Sequence, residues 1–103
     1  MAVYLLHSTE PLYRANGEKV QHYLGYVTDG CLTKRVDQHR RGKHTTPLVR
    51  AFLQANAELR LGAYWPMLTR SDERRIKRNG HLRDKCTICR AEDALRAIPE
   101  EDR

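Results

Sequence analysis

No stretch of the 103-residue sequence approaches the roughly 20 apolar residues that a membrane helix requires, and no basic segment near the N-terminus leads into a continuous apolar run. The expectation is a cytoplasmic protein with no membrane contact, nucleoid-associated if cellular. Cysteine is scarce. Three residues cannot all pair within one chain, and only Cys86 and Cys89 have a recognisable spacing, which argues against a disulfide scaffold. Internal repeats and low-complexity tracts are missing as well, so nothing points to an array of stacked units.

What is left is a chain of single-domain length, in which about 60 to 70 per cent of the unfolded surface becomes buried. There is room for one core and one site. Acidic side chains are the minority: 13 Asp and Glu stand against 19 Lys and Arg, a formal charge of +6. A field of that sign concentrates polyanions, which makes nucleic acid the first partner to consider, with ordinary solubility charge as the plain alternative.

Ala2 to His7 (AVYLLH) is rich in β-formers and stops at Ser8, Thr9, Glu10 and Pro11, where turn chemistry begins. A second aromatic and β-branched run, His22 to Thr28, predicts a strand returning antiparallel through a long hairpin loop. Cys31 to Arg41 places Leu32 and Val36 on one helical face and closes at Gly42. Thr46 and Pro47 have the form of an N-cap with proline at the first helical position, and Leu48, Val49, Phe52 and Leu53 keep helical period to about Asn56. From Glu58 to Trp65, Leu59, Leu61, Ala63 and Trp65 alternate with Arg60, Gly62 and Tyr64, the pattern of a half-buried strand. Thr69 with Asp72 signals a capping box that opens a third helix over roughly Arg70 to Arg78, before Asn79 and Gly80 break it.

The order ββααβα describes an α/β (α+β) domain, a small three-stranded antiparallel sheet flanked by helices. His81 to Arg90 reads as basic and irregular, closing a domain over residues 1–90, and residues 91–103 read as a charged, loosely held tail.

Arg35 and His39 lie four apart on the first helix, on a stripe bordering the Leu32/Val36 face that must pack on the sheet. Tyr4 and Tyr23 sit on the two hairpin strands, where side chains on one face are neighbours. Glu73 opens the third helix among Arg70, Arg74, Arg75, Lys77 and Arg78, a setting that suits a carboxylate binding Mg²⁺ amid phosphate-seeking cations. Phosphodiester hydrolysis needs a proton acceptor, positive charge for the transition state and help for the leaving oxygen, and this set offers a candidate for each.

Taken in order, Ala2-Val3-Tyr4, Tyr23-Leu24-Gly25, Arg35 with His39, and Glu73 resemble the signature of the GIY-YIG nuclease family, over Val3 to about Cys89. The runs HYLGYVTD, LTKRVDQHRRG, SDERRIKRNG and CTIC are similar to small stand-alone members. The resemblance implies a small antiparallel sheet flanked by helices, one divalent metal (Mg²⁺ or Mn²⁺) and single-step hydrolysis of DNA. It also implies roles. Tyr4 would be the general base or a water-orienting phenol supported by Tyr23, Arg35 would bind the scissile phosphate, His39 would hydrogen-bond the base or relay its proton, and Glu73 would ligate the metal. Two features depart from the family pattern: AVY stands where glycine and isoleucine are usual, and the loop between the motifs is longer than in the shortest members. A phenol with a reference pKa near 10 is a poor base at neutral pH, so the role demands nearby positive charge from Arg35 and the metal.

Lys34, Arg40, Arg41, Lys43, Arg74, Arg75 and Lys77 read as phosphate contacts that position DNA without reading its sequence, or as plain surface charge. Tyr13, Tyr26 and Tyr64 read as packing residues, Tyr26 also as a lining of the cleft, and Cys31 as a small buried residue. Glu73 has a bland alternative in an i,i+4 pair with Lys77. Cys86-Thr87-Ile88-Cys89 is half of a zinc site, with His81 or His44 as the candidates to complete it, set against two reduced thiols that pin the end of the domain. The rival to a nuclease, monomeric or transiently dimeric, is a non-catalytic basic nucleic-acid-binding module closed by zinc at Cys86 and Cys89.

Overall fold

A computed structural model describes residues 1–28, 31–43 and 46–98. Three strands form one antiparallel sheet in the order β2-β1-β3, with β1 at Ala2–Tyr13, β2 at Lys19–Val27 and β3 at Leu59–Pro66. Helices α1 (Leu32–Arg40) and α2 (Pro47–Gln54) separate β2 from β3, and α3 (Arg70–Asn79), α4 (Leu82–Lys85) and α5 (Thr87–Ala97) follow β3. No helix among the described residues is long and apolar enough to cross a membrane.

The central strand decides the architecture. Every residue from Ala2 to Ser8 is buried, because successive side chains of a strand point to opposite faces and both faces of β1 are covered. Ala2, Tyr4 and Leu6 join Val36 of α1 and Val49 and Phe52 of α2 in one core. Val3 and Leu5 join Leu24, Cys86 and Cys89 in a second, with Ile76 of α3 and Leu82 of α4 packed against it. The molecule is thus three layers, with α1 and α2 on one side of the sheet and α3, α4 and α5 on the other.

The helix starts follow their local chemistry. Thr46 caps α2 by accepting a hydrogen bond from the Val49 amide at 3.3 Å, with Pro47 just inside the helix. The capping box of α3 is complete: the Asp72 amide donates to Thr69 Oγ1 at 3.2 Å, and the Thr69 amide donates to Asp72 Oδ2 at 2.8 Å.

Four stretches differ from the sequence expectation. The hairpin is longer, since Leu12 pairs with Val20 and Tyr13 with Lys19 beyond a register irregularity between His7 and Leu12. Pro11 falls within that irregularity, where a residue that cannot donate to the ladder is tolerated. The tight turn after it uses Gly17 at φ 85°, with the Gly17 amide donating to the Arg14 carbonyl at 2.8 Å. In β3 the alternation is broken at Gly62. Leu5 pairs with Ala63 but Leu6 pairs with Leu61, so Gly62 is an extra residue that switches faces. Leu59 therefore packs with the α1/α2 core and Ala63 and Trp65 with the other, while Leu61 stays exposed.

The third difference is the segment expected to be irregular, which holds α4 and the start of α5. Helix α5 continues to Ala97, and residues 99–103 lie outside the described residues. The fourth is Cys31, which is exposed rather than buried.

Candidate functional site

On the α1/α2 side of the sheet the strand register brings four of the five expected catalytic residues together. Tyr4 pairs across the sheet with Gly25, and Tyr23 pairs with Leu6, so the two tyrosines are diagonal neighbours on one face with ring centroids 6.3 Å apart. His39 is brought over them by α1. It is buried, as Val36 three residues earlier is, and its ring centroid lies 5.9 Å from Tyr4 and 5.4 Å from Tyr23. The Tyr4 hydroxyl and His39 Nε2 share a hydrogen bond of 2.7 Å.

Gly25 makes this geometry available. A Cβ at that position would lie 2.3 Å from Cζ of Tyr4, so only a glycine lets the phenol ring lie against the backbone of β2.

Burial pushes the Tyr4 phenol far above its ordinary value, and neighbouring Tyr23 adds to the rise. The charge of Arg35 and its hydrogen bond to Tyr4 pull the other way. Tyr23 is raised too, first by burial and then by the negative charge of Glu73, with a Thr46 hydrogen bond and Arg35 opposing. Glu73, half-buried in the first turn of α3, thus acts electrostatically on Tyr23 from a helix that packs against β2. Among the described residues the Glu73 carboxylate has no ion pair, although Arg70, Arg74, Arg75, Lys77 and Arg78 share its helix. The i,i+4 pair with Lys77 does not form. Asp72 beside it is committed to Thr69 and to Arg75, whose guanidinium lies 2.9 Å away.

Tyr26 points to the opposite face and does not line this cluster. The guanidinium of Arg70 lies over its ring, 5.2 Å from the centroid. Tyr13 and Tyr64 are exposed. Of the cations expected to meet phosphate, Lys34, Lys43, Arg74 and Lys77 are exposed on α1, after it and on α3. Arg41 pairs with Asp37 at 3.0 Å and Arg75 with Asp72, while Arg40 donates from Nε to the Leu59 carbonyl at 2.9 Å and helps seat α1 beside β3.

A second constellation lies on the other side of the sheet. His7 and His22 pair directly across β1 and β2, and their side chains meet the two cysteines of the α4–α5 junction. His7 Nδ1 is 3.3 Å from His22 Nε2 and 3.5 Å from each of the two sulfurs, and Cys89 Sγ is 3.3 Å from His22 Nε2. Each residue offers one ligand atom, all four atoms lie within 4.8 Å of one another, and the cluster can hold a metal ion. Both imidazoles are lowered mainly by burial, His22 to about 4, so both are neutral at neutral pH, as a ligand nitrogen must be.

The expectation that His81 completes the Cys86/Cys89 pair is therefore corrected. His81 is exposed, 4.0 Å from Asp84, at the opposite end of α4 from Cys86, and His44 lies outside the described residues. The missed partners carried a signal in the hairpin itself. Once Tyr4 is set opposite Gly25, the antiparallel register sets His7 opposite His22 and turns both to the face away from Tyr4.

No family model, no curated protein and no solved structure matches the chain.

Proposed function

We propose that the protein is a divalent-metal-dependent DNA endonuclease with a GIY-YIG-type active site built from Tyr4, Tyr23, Arg35, His39 and Glu73. The observation that supports this reading most is the buried 2.7 Å contact of the Tyr4 hydroxyl with His39 Nε2, beside Tyr23 and within the field of Arg35. Polar groups buried together in this way cost stability that a purely apolar face would not, which is the usual mark of a functional cluster.

Arg35 binds the scissile phosphate and stabilises the charge that grows on its oxygens as water attacks. Burial disfavours a standing phenolate at Tyr4, so the phenol acts as a relay. Tyr4 accepts the proton of the attacking water while its own passes to His39 Nε2, and the bond from phosphorus to the leaving oxygen breaks. Tyr23 holds the position of Tyr4 and the water. Glu73, whose charge reaches Tyr23 and which has no ion pair among the described residues, suits a hard oxygen-seeking cation and would hold Mg²⁺ or Mn²⁺, which when bound supplies Lewis acidity to the leaving oxygen. Lys34, Lys43, Arg74 and Lys77 position the DNA backbone.

Incubation with supercoiled plasmid and Mg²⁺ tests the reading. The wild type is expected to convert it to nicked circles, and Arg35→Ala and Glu73→Ala to lose about 100-fold or more of that rate while keeping the wild-type circular dichroism spectrum. One such site hydrolyses one strand, so nicked circles precede linear product unless two copies associate. Wild-type protein that binds DNA without cutting it would leave the second reading, a basic nucleic-acid-binding module whose fold the His/Cys cluster would help to hold.

A further inference from the structure

We infer that His7, His22, Cys86 and Cys89 form a tetrahedral Zn²⁺ site that fastens the α4–α5 junction to the β1–β2 hairpin. The four side chains lie on the face of the sheet away from Tyr4, so this site stands whether or not the protein cuts DNA.

The distances have the proportions of a coordination sphere. Zinc binds imidazole nitrogen at about 2.0 to 2.1 Å and thiolate sulfur at about 2.3 Å, so the edges of a tetrahedral N₂S₂ site are about 3.3 Å between nitrogens and about 3.5 Å from nitrogen to sulfur. Four of the six edges are 3.3 Å between the imidazoles and 3.5, 3.5 and 3.3 Å from nitrogen to sulfur, and all four atoms lie within 4.8 Å of one another. Hydrogen bonding does not account for them. A ring nitrogen offers one hydrogen or one lone pair, yet His7 Nδ1 has His22 Nε2, Cys86 Sγ and Cys89 Sγ around it at once. Four ligand atoms gathered within 4.8 Å of one another fit around a single ion.

The donor set selects the metal. Two thiolates and two imidazoles are soft and borderline ligands that suit zinc and disfavour Mg²⁺ and Ca²⁺. The spacing Cys-x₂-Cys is that of a zinc half-site, here at the C-cap of α4 and in the first turn of α5. On binding, each S–H gives its proton to solvent as the Zn–S bond forms, and the two thiolates balance the charge of Zn²⁺, so no net charge enters the core. With four protein ligands, both sulfurs fully buried and no open position, the role is structural. Helix α4 has only four residues and cannot hold itself in place by its own packing, which gives the metal something to do.

Elemental analysis of the full chain, dialysed against metal-free buffer, is expected to find close to one zinc per chain. Glu73→Gln should retain it, and Cys89→Ser should lose most of it. Replacing zinc by Co²⁺ in the wild-type protein should give thiolate-to-cobalt charge transfer of an intensity fitting two Co–S bonds, together with the visible bands of tetrahedral cobalt. This reading of the ligand set does not depend on any variant folding. Stripping the metal with a strong chelator should lower the melting temperature by roughly 10 °C or more. The inference is overturned by protein that carries no zinc and gives no cobalt–thiolate band, by iron or copper in stoichiometric amount instead, or by zinc that leaves with Glu73→Gln and stays with Cys89→Ser.

Discussion

Tyr4 is the most constrained side chain of the proposed active site, since it is buried, hydrogen-bonded to His39 and seated on Gly25. Its hydroxyl is the only part that the relay needs. Tyr4→Phe is therefore expected to keep the fold and lose about 100-fold or more of the nicking rate, measured in single-turnover plasmid assays. The same residue sets a pH dependence of stability. Its folded pKa lies above the unfolded value of 10.0, so the contribution is complete below pH 10.0 and is lost as pH rises through the folded value. Thermal melts taken across alkaline pH should show wild type losing stability more steeply than Tyr4→Phe, and parallel curves would contradict the assignment. Gly25→Ala is expected to push the ring off β2 and abolish nicking as fully as Tyr4→Phe does, with unchanged DNA affinity by anisotropy.

Strand β3 and the helices after it depend on one bulge. Gly62 shifts the alternation by one residue, and a Cβ there would meet Cys86 Sγ at 2.7 Å. Gly62→Ala should destabilise the protein by about 1–3 kcal/mol in urea titration, an overpacking cost, whereas Leu61→Ala, exposed on the same strand, should change little. This bulge also marks how far the elements were readable from sequence. The capping box at Thr69 and the Thr46-Pro47 helix start involve neighbours in the chain, so their signatures are local and the structure has them where expected. The bulge is set by the pairing partner Leu5/Leu6, some 56 residues away in the chain, and a clean period-two pattern concealed it. Helices α4 and α5 escaped for a related reason: their buried positions near the junction are cysteines rather than a periodic set of large apolar residues, and α4 is too short to show a period. Arg35 and His39 were legible as a pair from helical spacing, and Tyr4 and Tyr23 joined them through the resemblance to the nuclease signature, the hairpin register being what puts the two tyrosines on one face. His7 and His22 were not legible, because nothing marks a ligand until the hairpin register and the α4–α5 junction are both known.

Over the whole surface, +6 of net charge and the exposed Lys34, Lys43, Arg74 and Lys77 predict binding driven by release of counterions from DNA. Replacing Arg74 and Lys77 together by alanine should weaken duplex binding equally for unrelated sequences and flatten the dependence of log affinity on log salt by about 1.8, at ~0.9 per phosphate contact. A loss confined to one sequence would instead indicate base recognition. Beneath that surface the three layers share one strand, and β1 serves both sides in turn: Tyr4 looks toward α1, and His7, three residues on, looks toward α5. Odd and even positions thus behave like two interleaved messages written on one line. Removing a single residue between Tyr4 and His7 would carry the histidine over to the tyrosine's side, whereas removing two would return it to its own side. The spacing between the two sites is thereby locked to an odd number, and neither can be moved along the strand without rewriting the other.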